Sequence, residues 1–268
     1  MKKILMILAV LAMLAPAALA VTPATPIYEC EGYTYILQAD GTAKIVCWDG
    51  REAALTVPGE LDGFAVTAIS ECAFADCPAL ESIALPESVT SIGERAFMGC
   101  VSLGRVDLPE GLLSIGSRAF DHCEALLQVE LPMSLVEMGD NPFRGCANLY
   151  DIRIAEGHPY LQLAEGALLS RPDHRLICFP MGLTTPLYRV PEGVEIIGAN
   201  AFEQDLYIEE IVLPESVTAI GQAAFDGCEA LKAMNLPASV QTIGEAAMRC
   251  RNLEITLEGD DLCPPQLI

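Results

Sequence analysis

The sequence is poor in the residues that most often carry catalysis. Only three histidines, His122, His158 and His174, are scattered over 268 residues, and no HExxH pattern or close Cys–His set frames a zinc site. There is no P-loop, no GxSxG and no CxxC, which removes the commonest signatures of nucleotide binding, serine hydrolysis and dithiol exchange. Basic residues are scarce as well: 15 Lys and Arg face 37 Asp and Glu, for a formal net charge of -22. A surface this negative repels phosphate backbones and anionic lipid headgroups, so neither nucleic acid nor a membrane surface is the expected partner. The longest apolar run, from Ile4 to Ala15, falls short of the roughly 20 residues needed to cross a bilayer. No Asn-x-Ser/Thr sequon occurs, and no cofactor or metal is expected.

The first residues have a distinct logic. Lys2 and Lys3 precede the run Ile4 to Ala15, followed by Pro16 and "AALA". This charged, apolar, small-residue order is that of a secretory signal peptide, with cleavage expected after Ala20. Loss of Lys2 and Lys3 takes the charge from -22 to -24, a value suited to solubility outside the cell. The chain is therefore expected to be secreted or displayed at the cell surface without inserting into a membrane.

What the sequence does have is a period. "LPESVTSIGERAFMGCVSLGRVD", "LPEGLLSIGSRAFDHCEALLQVE" and "LPMSLVEMGDNPFRGCANLYDIR" follow one another, each 23 residues long. Pro86, Pro109 and Pro132 mark one phase, Gly93, Gly116 and Gly139 a second, and the pattern resumes at Pro191, Pro214 and Pro237. Phe74, Phe97, Phe120, Phe143, Phe202 and Phe225 form a third column, and Cys77, Cys100, Cys123, Cys146 and Cys228 a fourth. A period in the twenties with Leu, Ile and Val at fixed offsets predicts a repeat solenoid: a right-handed stack of coils with parallel strands. One coil cannot stand alone, because about six buried apolar side chains at about 2 kcal/mol each do not offset the ordering of its backbone at about 1–2 kcal/mol per residue.

Within a coil, "SLGRVDLP" alternates as a strand, with Val106 and Leu108 inward and Arg105 and Asp107 outward. Pro109 ends the ladder for want of an N–H. In "SRAFDHCEAL" the apolar residues Phe120, Cys123 and Leu126 recur every third position, which predicts a short helical or 3-10 turn. The cysteine column is expected to face the core as a ladder of buried thiols, because in-register side chains one coil apart point in parallel and do not reach the torsion of about 90° that a disulfide needs. The off-column Cys30, Cys47, Cys72, Cys178 and Cys263 are the better disulfide candidates for an exported chain.

Irregular stretches divide the chain. After the leader at 1–20, residues 21–57 hold a hairpin, "YTYILQADGTAKIVCW", with Asp40-Gly41 at its turn, read as the cap of the first coil. Residues 58–154 form a first block of repeats, and 155–190 an enlarged coil in which "EGALLSRPDHRLICFP" makes a hairpin around "RPDH". Residues 191–258 form a second block, in which Met248 takes the Phe place and Cys250 comes one place early; 259–268 is a proline-containing tail.

The combination of Pro, Ile-Gly, Ala-Phe and Gly-Cys at 23-residue intervals resembles the BspA-like leucine-rich repeats of bacterial and some protist surface proteins. The resemblance covers nearly the whole mature chain. It implies a leucine-rich-repeat fold and a surface protein that binds host matrix proteins or other cells, and it carries no catalytic residue set. Ser70 in the Gly column and Asp205 in the Cys column depart from the pattern.

Function is then expected from the outward positions of the strands. Tyr150, between Asp151 and Arg153, is the leading contact candidate, since Tyr and Arg are favoured at binding hot spots; Arg105, Asp107, Gln128 and Glu130 complete the candidate partner-binding set. The expected partner is a protein, with adhesion as its biological form and self-association within the envelope as the alternative. A hydrolase built from His158, Asp173 and His174 in the insertion ranks behind both. Cys123 beside His122 is not expected to act as a nucleophile, because adjacent residues point apart. Asp140 and the pair Asp260-Asp261 lack the surroundings of a calcium loop.

Overall fold

The computed structural model describes residues 25–257. The leader expected at 1–20, Cys263, Asp260, Asp261 and the tail at 259–268 lie outside the described residues. Successive coils stack through two rows of parallel strands. One row holds the longer strands, among them Ala54–Thr56, Ser82–Ala84, Arg105–Asp107, Gln128–Leu131 and Asp151–Ile154, and later Leu187–Arg189, Glu210–Val212, Ala233–Leu236 and Glu254–Leu257. The other row holds two-residue strands such as Ser91–Ile92, Ser114–Ile115 and Glu137–Met138. Register advances by one sequence period per coil, Ser82 opposite Arg105 and Ser91 opposite Ser114. The alternation of the sequence places Ile83, Val129 and Ile152 inside, with Val106 packed against the same core, and leaves Arg105 and Gln128 outside.

Among the described residues there is no helix, α or 3-10, which corrects the helical turn expected at Phe120, Cys123 and Leu126. These positions do make three-residue closures, Cys123 N–H to Phe120 C=O and Leu126 N–H to Cys123 C=O. They cannot propagate, because the Phe120 N–H is directed across the stack to the Pro142 carbonyl of the next coil, 2.8 Å away. Two residues per turn also adopt positive φ, Arg118 at 56° and His122 at 57°, and a left-handed residue interrupts any right-handed helix.

The inward columns are continuous stacks. Phe74, Phe97, Phe120 and Phe143 lie with ring centroids 5.1, 5.1 and 5.6 Å apart, and Trp48 of the cap covers the first ring at 5.7 Å. Phe179, which the spacing did not place in the column, restarts it from within the enlarged coil, 5.4 Å from Phe202. Gly116 is required by close approach: a Cβ there would fall 2.5 Å from the Glu94 backbone N of the preceding coil. Ser70 stands in that column in the first coil and makes the same bond to the preceding strand as the glycines do, Ser70 N–H to Ile45 C=O.

Cys100, Cys123, Cys146 and Cys228 each donate their thiol to the carbonyl of the Phe residue 26 positions earlier, at 3.0, 3.3, 3.1 and 2.9 Å. The thiol thus adds a second donor at Phe97, Phe120 and Phe202, whose carbonyls already accept the backbone N–H three residues on. Cys77, in the first coil, is half-buried and bonds the nearby Ala75 carbonyl. All ten cysteines of the described residues are free, including Cys30, Cys47, Cys72 and Cys178, so the off-column disulfides expected among those four are not formed.

Asp205 occupies the thiol position of its coil. Its Oδ1 accepts the Tyr207 and Ile208 N–H groups at 2.8 Å each, while its Oδ2 is buried with no partner. Burial, against those two backbone bonds, holds its carboxyl above the ordinary carboxylate range. A raised folded-state pKa means that the acid form fits the site, so stability is greatest below the unfolded pKa and falls as pH rises through the folded one. Asp205→Asn, which keeps the Oδ1 acceptor and removes the ionisable group, is expected to flatten this pH dependence of stability, as read from denaturant melts at several pH values.

The core divides at the enlarged coil into two apolar clusters, one from Tyr33 to Cys178 and one from Ala167 to Ala247. That coil carries three antiparallel strands, Leu161–Ala164, Ala167–Ser170 and Arg175–Cys178, and rejoins the second block through Leu176 opposite Ile197. Its turn is short. Ile197 is followed by Phe202 but Leu176 by Phe179, so turns on either side meet directly across the gap. Asn141 Nδ2 donates to the Asn200 carbonyl at 2.6 Å, and an Arg118 guanidinium nitrogen to Asn200 Oδ1 at 2.9 Å. Arg144 is gripped twice, by Glu203 at 2.6 and 2.7 Å and by both oxygens of Asp121 at 3.1 Å. The side chains of Asp121 and Glu203 are only 6 and 7 % exposed.

Candidate interaction surface

Outward side chains of the longer strands meet in an open groove of about 620 Å³ over the coils from Gly104 to Arg153. The row of strands is broken there: Arg105–Asp107 pairs with Ser82–Ala84, Gln128–Leu131 pairs with Asp151–Ile154, and no ladder joins the two groups. Arg105, Asp107, Gln128, Glu130, Tyr150 and Arg153 all line the groove. Of the candidate set, Asp151 alone is not in the lining; it bonds Arg153 Nε at 2.7 Å. Arg105 is likewise paired within its own strand, Nε to Asp107 Oδ1 at 3.0 Å. Both pairs are solvent-exposed and worth at most about 1 kcal/mol, so a partner's charges can replace either one cheaply.

The apolar part of the groove is Tyr150, 52 % exposed, and Leu127, 48 % exposed, one coil apart in the same outward column. Sequence reading passed over Leu127. The signal was present, because Leu127 precedes Tyr150 by one period, but a leucine among leucine columns reads as core. Apolar surface rimmed by mixed charge and unpaired strand edges is suited to docking a protein, and no histidine, cysteine or serine lines the groove.

The insertion residues do not assemble a site. His158 is 2 % exposed, not in a solvated loop: its Nδ1 accepts the Tyr160 and Leu161 N–H groups at 3.2 and 3.1 Å, and its Nε2 donates to the Pro132 carbonyl at 3.1 Å. Nδ1 fixes the local turn of the enlarged coil and Nε2 ties that coil to the previous one. His174 faces the other way, toward Glu195 at 2.8 Å, and Asp173 bonds Arg175, which also bonds Asp140 at 2.7 Å. No hydrogen bond or ion pair joins His158 to His174 or Asp173. His122 bonds Asp121 at 2.7 Å while the neighbouring Cys123 thiol points inward to Phe97. Among the described residues no cluster of His, Cys, Asp or Glu is fit to hold a metal ion, and no helix is long and apolar enough to cross a membrane.

A family model described as a BspA type leucine rich repeat region matches residues 67–164 and 184–258 in six copies. Among solved structures, the chain is similar to the leucine-rich repeat protein of T. pallidum, at 28 % identity and a TM-score of 0.50 over 83 % of this chain and 85 % of that one. It is also similar to the pneumococcal vaccine antigen PcpA, at 20 % identity and a TM-score of 0.62 over 88 and 82 %. A leucine-rich cell surface protein of Faecalibacterium prausnitzii matches at 19 % identity and a TM-score of 0.54 over 87 and 95 %. No curated protein matches. With most of its coils matched by that model, the chain belongs to the BspA-type leucine-rich repeat family.

Proposed function

We propose that the chain is a non-enzymatic protein-binding solenoid, exported to the cell surface or its surroundings, that docks a partner protein in the groove around Tyr150 and Leu127. The observation that carries this reading is the convergence of Arg105, Asp107, Gln128, Glu130, Tyr150 and Arg153 on one broken stretch of the strand row. Repeat arrays use such ladders of variable outward side chains for recognition, and a neighbour of the same fold is described as a cell surface protein. Adhesion to host or neighbouring-cell proteins is the form this binding takes in our reading, and the leader at 1–20 supplies the route out.

The test is a binding assay of the mature chain against surface and matrix proteins of its habitat. Tyr150→Ala and Leu127→Ala are expected to weaken capture by about 1–3 kcal/mol each, with melting temperature unchanged because both side chains are half exposed. Arg153→Ala should mainly lower the on-rate and its salt dependence. Binding that survives all three substitutions, or that is lost instead on changing the opposite row of short strands, removes the groove from the reading.

A further inference from the structure

The row of short strands is interrupted at the enlarged coil. The sheet that includes Ser91–Ile92, Ser114–Ile115 and Glu137–Met138 stops there, and the next one begins with the hairpin strands that end in Arg175–Cys178. Elsewhere in the row the carbonyl ahead of each short strand accepts two N–H groups of the next coil: Thr90 from Leu113 and Ser114, Leu113 from Val136 and Glu137, Glu195 from Thr218 and Ala219. Val136 holds the equivalent carbonyl at the interruption, and no backbone N–H among the described residues reaches it. Two residues on, a side chain takes the place of the ladder. Met138 C=O receives Arg175 Nη2 at 3.0 Å, where Ile115 C=O receives the Gly139 N–H at 2.9 Å. Between the two sheets lies a cleft of about 640 Å³.

Charge in this cleft is one-sided. Glu94, Glu137 and Asp173 line it against Arg175 alone. Arg175 is already engaged at all three nitrogens, Nε by Asp173 at 3.0 Å, Nη1 by Asp140 at 2.7 Å and Nη2 by Met138. Glu94 has its exposed neighbour Arg95 at 3.3 Å, a pair of small worth. Glu137 is exposed and forms no ion pair among the described residues. The open groups are acceptors, the Val136 carbonyl and the Glu137 and Glu94 carboxylates, with the Ser114 and Ser170 hydroxyls beside them. The groove around Tyr150 differs, because there Arg105 and Arg153 balance Asp107 and Glu130.

We propose that this cleft is a second binding site, which takes an extended, arginine-bearing segment of a partner protein. A guanidinium offers five N–H donors and no acceptor, the complement of this lining, and Arg175 already serves a carbonyl of the same edge with that group. Its planar fork places two N–H groups on one carboxylate; Glu137 is the free one, and the remaining donors suit the Val136 carbonyl. The segment is extended because an open sheet edge is a template for a strand. A second copy of this chain is the poorer occupant, since molecules of net charge -22 repel one another. The site lies on the other row of strands from the Tyr150 groove and stands or falls apart from it.

The test follows amide signals of the isotope-labelled chain while the blocked pentapeptide Ala-Ala-Arg-Ala-Ala is added to millimolar concentration. Saturable shifts are expected at Ser114, Val136, Glu137 and Ser170, and none with the same peptide carrying citrulline, which keeps the shape of arginine without its charge. Glu137→Gln is expected to weaken binding about tenfold with an unchanged melting temperature, because the side chain is exposed and the amide preserves its shape. Tyr150→Ala should leave the peptide's affinity as it was. Absence of shifts at Glu137, an equal response to the citrulline peptide, or full affinity in Glu137→Gln overturns the proposal. So does competition by spermine or calcium ion at concentrations below that of the peptide, which would mark the cleft as a site for free cations.

Discussion

Replacing Arg144 by alanine is expected to destabilise the protein by about 3–5 kcal/mol, the penalty for leaving buried carboxylates without their counter-charge. Among the described residues Arg144 is the one Lys or Arg that pairs with both Asp121 and Glu203 at the junction, where Asp121 also bonds His122, and it ties a turn before the enlarged coil to a turn after it. Its loss leaves Glu203 with a single remaining side-chain bond, from Asn200 Nδ2 at 2.7 Å, in a site almost closed to water. The effect should be one of coupling as well as magnitude, because a solenoid is held by nearest-neighbour interfaces and weakening one of them lets the blocks unfold separately. Trp48, the only tryptophan, packs in the first cluster, so its fluorescence reports the first block while circular dichroism reports both. In the wild type the two probes should give one transition. In Arg144→Ala they should separate, and a double substitution with Glu203→Ala should be much less damaging than the sum of the single ones. Coincident probes and a loss below about 1 kcal/mol would show that the pairs act as ordinary surface bridges.

Phe120→Ala is expected to cost a similar amount, about 3–5 kcal/mol, for a different reason. The ring is fully buried and stacked on both sides, by Phe97 at 5.1 Å and Phe143 at 5.6 Å. The coils above and below are fixed in spacing by their strand ladders, so they cannot collapse into the space vacated, and the cavity persists. Phe120→Leu should recover part of the loss. Phe225→Ala, the equivalent deletion in the second block, should lower the stability reported by circular dichroism while leaving the Trp48 transition less affected. Urea unfolding followed by both probes reads all three variants, and equal response of Trp48 to Phe120→Ala and Phe225→Ala would mean that the stack behaves as one cooperative body.

Most of the fold was legible because a repeat states each structural requirement several times. Gly93, Gly116 and Gly139 announce a close approach that one glycine would not, and the Phe and Cys columns could be assigned inward before any coordinates. The turns were less legible: Phe120, Cys123 and Leu126 carry a helical spacing, but the N–H groups that would close a helix are spent on the next coil. Cys250 was read as drift, although the chain absorbs the missing residue and returns the sulfur to its column. The charged junction was not legible at all. Arg144 and Glu203 are 59 positions apart, and only the shortened turn of the enlarged coil, visible once Leu176 is paired with Ile197, brings them together. The groove was legible in its polar members, since outward strand positions can be counted, but not in Leu127 or in the break of the strand row that makes it a groove.

The division between inward columns and outward positions has an evolutionary consequence. The side chains that hold the coils in place are not the ones displayed in the groove, so exchanges at 105, 107, 128, 130 and 153 act on surface pairs of small worth, each within about 0.5 kcal/mol of neutral for folding. If the groove binds a partner as proposed, its specificity can drift rapidly under selection, while the core that presents it stays under a separate and much stricter constraint.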